Sequence, residues 1–138
     1  MNFQLHFFNF WPILVSVVTN MIIGALWYSQ VLFGNVWMKL VNKTEDDISK
    51  EEGNKAMAFG FIPAIATSVF LYLLLAITNA SGICDALIIG LIASVGFGGM
   101  TLLNHVIFEG RPFKLFLINM GYAIASMNVA SIIITLWK

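Results

Sequence analysis

His105 and Glu109 stand four residues apart in a stretch that otherwise reads as apolar helix. That spacing puts an imidazole and a carboxylate on one helix face, within reach of a shared hydrogen bond. Asn104 precedes them, and Arg111 can reach Glu109 across the turn that follows. Asn119 and Tyr122 add an amide and a phenol a few turns further on. Such a group could engage a partner or a lipid head group, or Glu109 and Arg111 could be a loop ion pair that fixes the hairpin. It makes only half a metal site, because no second pair stands at ligand spacing and the single cysteine, Cys84, excludes a multi-thiolate centre. Ser29 and Ser94 have no His–Asp support in the sequence, so no hydrolase constellation is evident. No metal and no cofactor is expected; the reading leans away from an enzyme, and polar residues at head-group depth are the one hint of an enzyme acting on lipid.

Four apolar runs must position these groups: residues 8–33, 57–79, 86–108 and 113–137. At about 1.5 Å per residue, 20 helical residues cross the roughly 30 Å hydrocarbon layer, so each run is long enough. With 59% apolar and only 10% charged residues, the chain falls well below the soluble average of about 25% charged. We therefore expect an all-α antiparallel four-helix membrane bundle, residues 1–138 forming a single domain. The formal net charge of zero argues against nucleic acid as a partner, since phosphate recognition needs a basic face. The first residues, Met1 to His6, lack the basic leader of a cleavable signal, so the first run is expected to be retained.

The connections supply orientation. Lys39, Lys43, Lys50 and Lys55 lie between the first two runs, and Arg111 and Lys114 lie between the last two; only Lys138 lies on the other side. That bias places the two basic loops in the cytoplasm and both termini outside it. Trp11 and Trp137 then mark the outer interface, and Trp27, Tyr28 and Trp37 the inner one. Val36, Trp37, Leu40 and Val41 share one side of a short interfacial helical turn. Thr44-Glu45-Asp46-Asp47 reads as a capped helix start with Gly53 as its stop. Gly110 is expected to end the third helix and Pro112 to open the fourth.

Small residues give the packing faces. Ala86, Gly90, Ser94 and Gly98 follow at intervals of four, with Gly121 and Ala125 on the last helix and Gly24 on the first. Such stripes let helix backbones approach closely in lipid. They could serve packing within the chain or the seam of a homo-oligomer. The central turns of the first, second and fourth helices hold no charge, only Asn20, Thr67, Ser68, Ser126 and Asn128. A proton-coupled exporter needs a buried carboxylate there, so that mechanism is disfavoured.

Two stretches carry a resemblance. Gly24-Ala25-Leu26-Trp27-Tyr28-Ser29 leads on to Leu32-Phe33-Gly34 and Trp37, and Asn104-His105-Val106-Ile107-Phe108-Glu109-Gly110-Arg111-Pro112 leads on to Asn119-Met120-Gly121-Tyr122. Together they resemble the uncharacterised bacterial membrane family catalogued as domain of unknown function 1761, over almost the whole chain. The resemblance implies four transmembrane helices and no established activity. It also implies a shared site of Trp27, Tyr28, Ser29, Asn104, Glu109, Arg111, Asn119 and Tyr122. The favoured reading is a non-enzymatic, oligomerising membrane module whose inner-side polar cluster engages a partner or a lipid head group. The alternative is a small-solute or ion pathway formed by a homo-oligomer.

Overall fold

Helix α1 spans Phe10–Trp27 in the computed structural model, which describes residues 8–47 and 50–137. The N-terminal leader question, Ile48 and the outer charge Lys138 lie outside the described residues. Asn9 caps α1 by accepting the Trp11 N–H at 3.2 Å. Short helix α2 is Gly34–Leu40, a 3₁₀ turn covers Glu45–Asp47, and α3 is Lys50–Ile77. Helices α4 (Ile83–Leu91) and α5 (Met100–Glu109) are joined through a π-helical stretch, Ile92–Gly99, and α6 is Phe113–Trp137. No strand occurs among the described residues.

Four helical stretches are long and apolar enough to cross a bilayer: α1, α3, Ile83–Glu109 and α6. Only 22–28% of each apolar window is buried inside the chain. Phe59, Phe70 and Phe97 are among the large side chains left on the outside. In water such a surface would drive aggregation, whereas in hydrocarbon it costs nothing. The chain has the build of a membrane protein.

Helix α6 is the hub, packed by α1, by α3 and by the α4–π–α5 span. The Asn9 amide donates to the Trp137 carbonyl at 3.3 Å, and the Trp27 indole donates to the Ile118 carbonyl at 3.0 Å. These contacts join the start of α1 to the end of α6 and the end of α1 to the start of α6. The core, around Ile13, Val17, Leu71, Leu75, Ala130 and Ile134, fills the half of the bundle that holds Asn9 and Trp137.

Several boundaries differ from the sequence expectation. Helix α1 stops at Trp27 instead of running to residue 33, because the Phe33 and Gly34 N–H groups turn back to the Trp27 and Ser29 carbonyls. Gly34 fits this turn because a Cβ there would strike the Tyr28 carbonyl oxygen. Gly53 stops nothing; it lies inside α3, which begins at Lys50 with a Lys55–Glu51 ion pair at 3.2 Å. Gly110 does end α5, in the left-handed conformation at φ +66°, with the Arg111 N–H returning to the His105 carbonyl.

The acidic turn before α3 forms locally. Asp47 accepts the Thr44 N–H at 2.8 Å and the Thr44 hydroxyl at 2.7 Å. The Thr44 backbone bond, then its hydroxyl, hold the Asp47 carboxyl below the usual carboxylate range. A lowered folded pKa contributes stability above the unfolded value, lost as pH falls through the folded one. Exchange of the Thr44 amide should therefore be slowed at neutral pH. That protection should fade in acid, below the ordinary range for aspartate, and Asp47→Asn should remove the pH step.

The π-helical stretch resets the packing stripe. At Met100 the backbone N–H reaches the Val95 carbonyl, five residues back. Ala86, Gly90 and Ser94 face inward as the four-residue spacing predicts, but Gly99 takes the next inward place instead of Gly98. Gly98 lines an apolar cleft beside α3 with Pro63, Phe70 and Met127. The stripe is used against α6 within the chain: a Cβ on Gly90 would lie 2.8 Å from the Ser131 hydroxyl.

Candidate functional site

The first turns of α6 receive the end of α1. A Cβ on Gly121 would lie 2.7 Å from Trp27 Cζ2, so only glycine lets the indole lie on α6 and donate to the Ile118 carbonyl. Gly24 in turn faces the Tyr122 hydroxyl, which would sit 3.4 Å from its Cβ. Next to Trp27, the Tyr28 hydroxyl donates to Asn119 Oδ1 at 2.8 Å. The Tyr28 ring rests on Tyr122 with centroids 5.5 Å apart, and the edge of Trp37 from α2 closes over it at 5.6 Å. Rings so arranged give a half-buried wall in which the Tyr28 hydroxyl is paired. Ala125 is half-buried one turn beyond Gly121.

A second group sits at the hairpin. Glu109 is held on both sides, by His105 Nδ1 at 2.7 Å from one carboxylate oxygen and by Arg111 Nε at 2.7 Å from the other. The i,i+4 geometry expected for His105 and Glu109 is present, and all three side chains are about half exposed. With Nε engaged, the terminal nitrogens of Arg111 make no hydrogen bond among the described residues and can meet an anion. His105, Arg111 and Asn119 line one small cleft of about 30 Å³, enough for a bridging water.

The structure therefore brings Tyr28 to Asn119 and Arg111 to Glu109 as two pairs that share a cleft, not as one constellation. Ser29 stands apart, its hydroxyl donating to the Leu26 carbonyl of its own helix. Asn104 is exposed and makes no hydrogen bond among the described residues. Among the described residues no group of three His, Cys, Asp or Glu side chains is placed to hold a metal.

Residues 11–135 match the sequence pattern of the family described as protein of unknown function (DUF1761). The chain belongs to that family. Its match runs from the second residue of α1 to two residues short of the end of α6 and takes in both stretches that carry the resemblance. No curated protein and no solved structure matches it.

Two features of this DUF1761 chain went unseen in the sequence. One is an open groove of about 470 Å³ beside the cluster, walled by Trp27, Leu32, Phe33, Val36, Leu117 and Ile118, with Lys114 its only charged residue. Turning the chain at Tyr28, before residue 33, creates it. The other is Pro63 inside α3. Proline has no N–H to give, so the Phe59 carbonyl loses its helical donor at that level. The sequence signal for this, a proline mid-run, was there to be read.

Proposed function

We propose that this chain is a non-enzymatic four-span membrane module that binds an anionic lipid head group at its cytoplasmic edge. The observation that carries the reading is the groove: apolar walls suited to an acyl chain, with Lys114 at its side and the free end of Arg111 at the neighbouring turn. Guanidinium and ammonium groups at head-group depth attract phosphate, and Arg adds directed paired bonds. The six basic residues of the two inner loops support a cytoplasmic orientation. Glu109 would then serve to aim Arg111.

Self-association, or docking with another membrane protein, belongs to the same reading through the exposed faces of α3 and the π-helical stretch. The small-residue stripe no longer supports it, being packed on α6. A pathway formed between copies draws less support, because the unpartnered buried hydroxyls of Ser16, Ser68, Ser131 and Thr135 lie inside one bundle.

Native mass spectrometry of the reconstituted chain tests the proposal, with phosphatidylglycerol against phosphatidylcholine as the bound lipid. Each basic residue near an anionic surface contributes about 1 kcal/mol, or roughly fivefold in affinity. Lys114→Ala and Arg111→Ala should each reduce retained phosphatidylglycerol by about that factor and leave phosphatidylcholine unchanged. Equal loss of both lipids, or no loss, removes the reading.

A further inference from the structure

Asn20, at mid-depth on α1, is 4% exposed, and its Oδ1 has no hydrogen-bond partner among the described residues. An orphaned amide oxygen at that depth costs on the order of 1–3 kcal/mol unless something donates to it. Asn20 lines a cavity of about 180 Å³ between α1, α3 and α6, along with Thr67, Ser126, Tyr122, Pro63 and Ala64. That volume far exceeds the ~10–15 Å³ one water needs. Pro63, on the α3 wall, brings no N–H donor of its own to the space. Among the described residues no Asp, Glu, Lys, Arg or His lines the space. An ion would find no counter-charge there, while a neutral molecule would meet an acceptor awaiting a donor.

The geometry points to a hydrated binding site inside the bundle for a small uncharged solute bearing O–H or N–H donors, with Asn20 Oδ1 as its anchoring acceptor. Thr67 supplies a hydroxyl that can donate or accept, and the Ser126 hydroxyl, which donates to the Ala123 carbonyl at 3.4 Å, can accept, matching a polyol or amide on its other side. Tyr122 forms the wall toward the cytoplasmic cluster, because its ring also rests on Tyr28. The apolar core around Leu75 and Ile134 fills the opposite half of the bundle. The site thus lies between the Tyr122 ring and that core. It needs neither Lys114 nor Arg111, and so stands or falls apart from the lipid reading.

Cysteine labelling of the full chain in proteoliposomes tests it, in a Cys84→Ser background. Methanethiosulfonate ethylammonium reacts with thiolate, which forms only where water reaches. Ser126→Cys should label at least tenfold faster than Phe70→Cys on the outward face of α3. Glycerol is the competing solute, and it should slow Ser126→Cys labelling severalfold when Asn20 is present. In Asn20→Leu that protection should vanish; in Ala64→Leu, which fills the cavity and keeps Asn20, it should vanish too. Both variants are first checked for an unchanged elution position in detergent. Labelling of Ser126→Cys no faster than Phe70→Cys would show a dry cavity and overturn the proposal. Glycerol protection that persists in both variants, or is absent from the parent, would overturn the assignment of Asn20.

Discussion

Gly90→Val is expected to destabilise the bundle by about 2–3 kcal/mol, in the upper part of the overpacking range. A Cβ at this position would lie 2.8 Å from Ser131 Oγ, 2.9 Å from Asn128 Oδ1 and 3.1 Å from Asn128 Cα. The two side-chain atoms can rotate away; the Cα cannot. The third span must therefore retreat from α6, and in lipid that separation removes the close packing on which helix association depends. Gly99 offers the contrast. There the crowding comes from the far end of the Met120 side chain, which can swing aside, so Gly99→Ala should cost under about 1 kcal/mol. Gly98 meets nothing nearer than the Ala93 carbonyl at 3.8 Å, and Gly98→Ala should be neutral or slightly stabilising through helix propensity. Reversible unfolding in mixed micelles, followed by tryptophan fluorescence, ranks the three. A Gly98 penalty matching that of Gly90 would mean a continuous α-helical register through Ile92–Gly99, without the π-helical stretch.

That register shift marks where sequence reasoning stopped. The spans were legible because hydrocarbon demands length and apolarity, and both are written residue by residue. The α5–α6 turn was legible because Gly110 and Pro112 act through their own backbone constraints. A π-helical stretch has no such local cause. Ile92–Gly99 reads as ordinary helix, and only packing of Ser94 and Gly99 on α6 distinguishes the wider turn. Gly53 failed in the other direction: a residue able to end a helix was overruled by the continuation of α3. At the site, His105 with Glu109 followed from spacing alone. The bond from Tyr28 to Asn119 joins residues 91 apart in sequence, and no periodicity reports such a pair. The family resemblance grouped them, but it also grouped Ser29 and Asn104, which the geometry leaves outside. Asn20 was visible as a midplane amide; that its oxygen faces a cavity depended on Pro63 and on how three helices meet.

The Tyr28–Asn119 bond should prove the most strongly coupled pair where the end of α1 meets the start of α6. Asn119→Leu leaves the Tyr28 hydroxyl without its acceptor in a half-buried aromatic setting, and Tyr28→Phe leaves Asn119 Oδ1 without its donor. Each single change should cost about 1–3 kcal/mol, the desolvation penalty of the abandoned partner. Removing both partners abandons nothing. The double variant should therefore lose less than the sum of the singles, with a coupling of about 1 kcal/mol or more. Trp27 provides the control: its indole bond ends on the Ile118 backbone carbonyl, so Trp27→Phe should add to either change without coupling to the pair. Four proteins unfolded under one micelle condition complete the cycle. Strict additivity of Tyr28→Phe and Asn119→Leu would mean that water satisfies both groups, and the two would then be separate surface features in place of a built wall between the cleft at Arg111 and the cavity at Asn20.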